Sequence, residues 1–84
     1  MTTVSAQESV FAALRDLLVD KFDVPAADAR PDAAMRDLLV DSLMVVEMAI
    51  AVHETLGVKV EEEELREATL ADLAAAVHRR HAAS

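Results

Sequence analysis

The sequence predicts an all-α fold, a four-helix bundle with three longer helices and one short third helix. Apolar residues recur at helical spacing, and aromatic residues make up only 2% of the chain, so Ala, Val, Leu and Met must build the core. The one possible strand, 58–60, has no convincing partner strand and is predicted to be a loop. With 84 residues, the chain is expected to form one domain, ordered over about 5–80.

The first helix is predicted over 6–21, because Ser5 and Glu8 have the spacing of a capping box and a helical apolar stripe follows them. Pro25 and Pro31 punctuate the next stretch, 23–34, which is rich in Ala and Asp and is predicted to be a long loop. Three apolar residues are expected to anchor this linker to the bundle: Val24, Met35 and Leu38.

The second helix is predicted over 42–56, because Gly57, the only glycine, can adopt the left-handed conformation that ends a helix. Residues 61–68 are predicted to form the short third helix, with acids in its first turn that complement the helix dipole. Thr69 and Asp72 resemble the start of the last helix, which continues to about Arg80.

Ser42 stands where a polar linker gives way to the strongly apolar second helix. A side chain there lies beside unpaired backbone N–H groups and the positive end of the helix dipole, so a phosphate ester on Ser42 would be electrostatically favoured. Alternatively, Asp41 or Ser42 is only an N-cap, a role that both residue types commonly take. The residues around Ser42 leave both interpretations open.

The second helix is apolar on two sides. At about 100° per residue, the side predicted to face the core holds Val45, Met48, Ala49, Val52 and Leu56. The opposite side holds Leu43, Val46 and Ile50 together with Glu47 and Glu54. Because a surface helix normally presents a polar face to water, this side is interpreted as a docking surface, the alternative being ordinary exposed aliphatics.

Charge is distributed unevenly along the chain. The formal net charge is -8, and residues 31–72 contain 11 acids but only three bases, Arg36, Lys59 and Arg66. An acidic surface repels phosphate backbones and anionic lipid, so we expect no nucleic acid and no membrane as partner, and we expect proteins with basic patches instead.

Cysteine usage and the N-terminal sequence bear on the cell compartment. With no cysteine in the chain, any thiol chemistry must come from a cofactor, and a reducing cytoplasm is compatible. The start lacks a signal-peptide pattern, and no apolar run reaches the roughly 18 residues needed to span a bilayer. A cytoplasmic protein is therefore expected.

Neither catalysis nor metal binding is predicted. His53 lies about 16 Å from Ser42 along the same helix at about 1.5 Å per residue, and the chain has no glycine-rich nucleophile elbow. His78 and His81 lack the further ligands of a zinc site, so the tail is interpreted as a solvated helix whose cations favour its C-terminal end. The run 61–64 lacks the glycine of a calcium loop and is interpreted as a solvated acidic face.

The order of the predicted helices and the motifs at their ends resemble those of acyl carrier proteins, the phosphopantetheine-bearing carriers of fatty acid and polyketide synthesis. The resemblance covers nearly the whole chain. It rests on the acidic third helix and on three motifs: Asp41-Ser42-Leu43 at the start of the second helix, Val46-Glu47-Met48 one turn later, and Leu56-Gly57-Val58-Lys59-Val60 at its end.

The resemblance implies that a separate phosphopantetheinyl transferase, which generally needs magnesium, esterifies Ser42 with 4′-phosphopantetheine from coenzyme A. Asp41 and Leu43 would flank the attachment point, and the terminal thiol of the arm would carry an acyl chain as a thioester. The protein would thus be a carrier without catalytic residues of its own. Growing chains would fold back between the second and third helices, against residues such as Met48, Val52, Val60 and Leu65.

The resemblance also implies docking by the transferase and by an acyltransferase, ketosynthase or other pathway enzymes with basic and apolar patches. The expected partner-docking residues are Leu43, Met44, Val46, Glu47, Ile50 and Glu54. The protein itself is expected to be a monomer and free-standing.

Two departures from the family pattern stand out. Leu39 occupies the place of a usual glycine, which is expected to alter the turn and add an apolar contact near the arm. Met44 and His53 stand where fatty acid carriers often have acids, which favours a specialised polyketide or related pathway. The alternatives are a peptidyl or aminoacyl carrier of nonribosomal synthesis and a plain helical interaction module in which Ser42 is a cap.

Overall fold

Five helices make up the part of the chain that the structure describes. The computed structural model describes residues 6–83, with the side chains of residues 8–81. The helices are α1 (Ala6–Phe22), α2 (Met35–Leu38), α3 (Ser42–Leu56), α4 (Glu62–Glu67) and α5 (Leu70–Ala83). The all-α prediction is confirmed, with a four-residue α2 in addition to the four expected helices, whereas the Ser5 capping box lies outside the described residues. Within 6–83, no helix is long and apolar enough to cross a membrane.

The core is one apolar cluster to which all five helices contribute. The helix α1 packs most extensively on α5, while α3 contacts both α1 and α4. Across the described side chains, every buried residue is apolar. The largest fully buried side chains are Leu14, Leu18, Met35, Met48, Leu65, Leu70 and Leu73. A core of this kind is held by burial of aliphatic surface, at about 25 cal/mol per Å².

The core-facing side of α3 is broader than predicted. Val45, Met48 and Val52 are buried as expected, and Ala49 and Leu56 are half-buried. Ala51, which the sequence analysis did not place in the core, is also buried, because α3 packs against α1 on one flank and α4 on the other. The exposed side of the helix, which we call the outer strip, consists of Ser42, Leu43, Val46, Glu47, Ile50, His53, Glu54 and Thr55.

The linker between α1 and α3 is tied to the joint between α4 and α5. The Met35 N–H donates to the Ala68 carbonyl at 2.9 Å, and the Leu70 N–H donates to the Ala33 carbonyl at 2.9 Å. An isolated antiparallel bridge joins Ala34 to Thr69 between them. We call these contacts the linker stitch. The predicted anchors behave as expected, since Val24 and Met35 are buried and Leu38 is half-buried against the core.

A glycine cap ends α3, and side-chain caps begin α5. Gly57 has φ 68° and its N–H donates to the His53 carbonyl at 2.9 Å, which ends α3 in the predicted left-handed conformation. Thr69 and Asp72 exchange reciprocal side-chain-to-backbone hydrogen bonds of 3.1 and 3.4 Å at the start of α5. Residues 58–60 form a loop, as predicted.

Candidate functional site

Ser42 is the first residue of α3, and its side chain is exposed. The preceding residue performs the cap: Asp41 has extended backbone angles, and its Oδ1 accepts a hydrogen bond from the Met44 N–H at 2.8 Å. The Ser42 hydroxyl makes no hydrogen bond within the part of the chain that the structure describes. Because Asp41 already caps α3, the Ser42 hydroxyl is available for chemistry.

A surface groove of about 410 Å³ opens beside Ser42. Its charged and polar lining comes from α2, α4, the first residue of α3 and its N-cap: Arg36, Asp41, Ser42, Arg66 and Glu67. Its apolar lining is Leu39, Val40 and Val45. We call this cavity the Ser42 groove. Two of the three bases in residues 31–72, Arg36 and Arg66, thus lie beside the exposed hydroxyl.

Leu39, the residue expected to add an apolar contact near the arm, is only 3% exposed and belongs to the core. Its backbone has φ -106° and ψ 86°, and its N–H donates to the Met35 carbonyl at 2.8 Å. A negative φ is open to any residue, so this turn has no need of glycine. The departure thus changes the floor of the Ser42 groove without straining the backbone.

The two arginines of the groove are weakly engaged elsewhere. Arg36 is exposed and makes no ion pair among the described side chains. Arg66 reaches Glu62 only at 4.0 Å, with both side chains about half exposed. Such an exposed pair contributes roughly 0–1 kcal/mol, so either guanidinium can turn toward another anion at little cost.

The outer strip of α3 carries the exposed aliphatics that the sequence predicted. Leu43 is 65% exposed, Ile50 51% and Val46 38%. Val40, at 75%, extends this apolar surface to the linker just before Asp41. Sequence reasoning missed Val40 because it lies outside the helix, although an isolated valine beside the Asp-Ser-Leu motif is itself a signal.

The remaining predicted docking residues differ in exposure. Glu47 and Glu54 are exposed and line one cavity of about 320 Å³ with Lys21 and Phe22 at the end of α1. Met44 is half-buried and packs against the core, so only part of its side chain faces solvent. The acids therefore lie on the same strip as the aliphatics, and Met44 lies at its margin.

The four residues named for a cargo cleft lie together in the interior. Met48, Val52 and Leu65 are fully buried and Val60 is 5% exposed, all within one continuous apolar cluster. Space for a chain at this position would require α4 to move away from α3. The four predicted residues therefore lie close together, but they pack as part of the core.

Among the described residues, no histidine lines the Ser42 groove, and the carboxylates that line it are those of Asp41 and Glu67. His53 is exposed in the last turn of α3, and His81 is exposed near the end of α5. Within the described residues, no group of three or more His, Cys, Asp or Glu side chains could hold a metal ion. The chemistry available at this site is that of one exposed hydroxyl at a helix start, flanked by two arginines, two carboxylates and apolar side chains.

Compared with protein families, residues 12–77 match the model of the phosphopantetheine attachment site. The match covers well over half of the chain and includes α2, α3 and α4 in full. Comparisons with curated proteins and with solved structures gave no match.

Proposed function

Because the chain belongs to the phosphopantetheine attachment-site family, we propose that it is an acyl carrier protein with its 4′-phosphopantetheine arm on Ser42. Domains of this family hold that group covalently and are in general carriers without catalysis of their own. The observation that carries the choice of Ser42 is its exposed hydroxyl at the first position of α3, left free because Asp41 makes the cap.

Attachment needs only a reachable nucleophile from this chain. In the transfer, the Ser42 oxygen forms a bond to the phosphorus of the pantetheine phosphate, the bond from that phosphorus to the second phosphate of coenzyme A breaks, and the hydroxyl proton leaves to a base of the transferase. The start of α3 then favours the phosphodiester through its unpaired N–H groups and dipole. When bound, the arm supplies the thiol that this cysteine-free chain lacks.

The partners would dock on the outer strip of α3. Leu43, Val46 and Ile50 offer apolar contacts, and Glu47 and Glu54 would attract basic residues of a partner. Enzymes with mixed basic and apolar patches fit this surface: the transferase itself, and an acyltransferase, ketosynthase or similar pathway enzyme. A tethered arm keeps its cargo at high effective concentration near whichever enzyme is docked.

A specialised polyketide or related pathway suits this surface better than primary fatty acid synthesis. The support is the aliphatic character around Ser42, including Val40 and Leu43, and the absence of an acid at positions 44 and 53. The test is turnover with a set of housekeeping fatty acid enzymes. Efficient turnover with all of them would count against a specialised pathway.

Attachment is tested by incubating the protein with coenzyme A and a promiscuous phosphopantetheinyl transferase. The wild type should gain the mass of the arm, Ser42→Ala should not, and Ser9→Ala, which alters an exposed serine of α1, should gain it fully. A wild type that stays unmodified would identify a plain interaction module instead. Mass spectrometry of the loaded arm from the native host then distinguishes acyl cargo from aminoacyl cargo.

A further inference from the structure

The Ser42 groove has a feature that attachment alone does not require: two arginines from different helices line it. Arg36 belongs to α2 and Arg66 to α4, and they are 30 positions apart in the sequence. Residues 31–72 contain only three bases, so two of the three are concentrated at the one segment of α3 that bears the hydroxyl.

We propose that Arg36 and Arg66 hold the phosphodiester at the base of the arm, so that the first part of the arm lies along the Ser42 groove. This inference rests on the proposed function, since it needs a phosphodiester on Ser42. A phosphodiester carries one negative charge and acceptor oxygens, and guanidinium groups are suited to bind such oxygens with paired N–H donors.

The anionic neighbours explain why two cations are needed. Asp41 and Glu67 line the same groove, and a phosphodiester would add a third negative charge beside them. The Asp41 carboxylate is partly occupied by the Met44 N–H, but Glu67 is exposed and would repel the phosphate. Arg36 and Arg66 offset this repulsion, and both are available because neither has a strong partner elsewhere.

The apolar lining matches the segment of the arm that follows the phosphate. That segment contains a carbon bearing two methyl groups, which gains by leaving water. Leu39, Val40 and Val45 line the groove next to the arginines, and Val40 is the most exposed large aliphatic among the described side chains. The groove therefore offers cationic contacts for the phosphate and apolar contacts for the methyl groups.

The test is ³¹P NMR on purified, fully loaded protein, so that differences in loading rate do not enter. In the wild type, the phosphorus should relax as a group held by the protein. Arg36→Gln and Arg66→Gln should each lower the ratio of held to free arm by about two- to fivefold, the range expected of exposed ion pairs. High salt should act in the same direction by screening.

Two matched variants sharpen the measurement. Arg30→Gln removes the same charge from an exposed arginine that pairs with Asp32 at 3.8 Å and does not line the groove, so it should leave the relaxation unchanged. Glu67→Gln should shift the arm toward the held state, opposite in sign to the arginine variants. All four side chains are exposed, so the variants should fold like the wild type.

The outcomes distinguish failure of the arginine contacts from failure of the proposed carrier function. A wild-type protein that takes no arm overturns both. A loaded protein whose ³¹P relaxation is the same in the wild type and in the Arg36→Gln/Arg66→Gln double variant overturns the arginine contacts alone, and so does an equal effect of Arg30→Gln.

Discussion

Arg80 of α5 donates two hydrogen bonds to the Glu64 carboxylate of α4, each 2.6 Å long. The same guanidinium donates to the Lys59 carbonyl at 3.2 Å, in the loop that follows α3. Glu64 also accepts from the Glu61 N–H at 3.3 Å within the capping box of α4. One arginine thereby connects α5, α4 and the loop between α3 and α4, which corrects the interpretation of Arg80 and Glu64 as simply solvated.

This pair predicts a specific pH dependence of stability. The Arg80 hydrogen bonds are the main cause that lowers the pKa of Glu64 below its usual value of 4.5. A lowered pKa in the folded state means that the stabilisation is complete above about pH 4.5 and is lost as the pH falls through the folded-state pKa. Glu64→Gln should cost about 0.5–1 kcal/mol at pH 7, because both side chains remain partly exposed.

Urea denaturation of the wild type and Glu64→Gln at pH 7 and in acid checks this expectation. The difference in unfolding free energy should be present at pH 7 and vanish at low pH. Glu63→Gln is the matched control, since it removes the same charge from an exposed neighbour on α4. A control that loses as much stability as Glu64→Gln would contradict a role for the Arg80 contact.

We expect that glycine is required at position 57 because of the positive φ angle and not because a side chain would clash with neighbouring atoms. A Cβ built at this position meets no heavy atom within 4 Å, yet φ is 68°. Gly57→Ala should therefore destabilise the fold by about 1 kcal/mol, the cost of a left-handed alanine. Gly57→Asn should cost less, because asparagine tolerates this conformation better. Thermal unfolding of both variants measures the order, and an equal loss would point to a steric cause.

We expect substitution of Asp41 to lower the stability of the fold and substitution of Ser42 to leave it almost unchanged. Asp41→Ala should lower the unfolding free energy by about 1 kcal/mol, because the Met44 N–H loses its acceptor. Asp41→Asn should retain most of that stability, since asparagine caps equally well. Ser42→Ala should stay within about 0.5 kcal/mol of the wild type. A large loss of stability in Ser42→Ala would mean that its hydroxyl supports the fold.

Truncation to alanine should affect stability at Leu65 and transferase binding at Leu43. Leu43 of α3 is 65% exposed, whereas Leu65 of α4 is 0% exposed. Leu65→Ala should cost about 2–5 kcal/mol through the cavity it leaves, and Leu43→Ala should cost little. Transferase kinetics should show the reverse, with a raised KM for Leu43→Ala. An unchanged KM would remove Leu43 from the docking surface.

Local signals in the sequence predicted the end of α3 and the start of α5, and they singled out Ser42 as an exposed residue at the start of α3. Gly57 marks the end of α3 by its own conformational freedom, and Thr69 with Asp72 marks the start of α5 through hydrogen bonds three residues apart. Ser42 stood out because a polar linker meets an apolar helix there. Each of these features is set by neighbours in sequence, which is why sequence alone reveals it.

Features set by distant residues could not be predicted in the same way. The short α2 has no side-chain cap, and the Met35 N–H at its start donates to the carbonyl of Ala68, over 30 residues away. The Arg80 contact to Glu64 spans 16 positions, and the convergence of Arg36 with Arg66 depends on how α2 and α4 pack. None of these leaves a periodic or spacing signal in the chain.

The linker stitch makes the segment before α3 and the joint before α5 a single cooperative unit. Opening either side breaks the same backbone hydrogen bonds, including those from Met35 to Ala68 and from Leu70 to Ala33, so the amides of Met35 and Leu70 should exchange with deuterium at similar rates. A rearrangement that displaces the joint between α4 and α5 would therefore also displace the chain segment that leads to Ser42, so a change in packing of the interior would alter the position of the exposed hydroxyl.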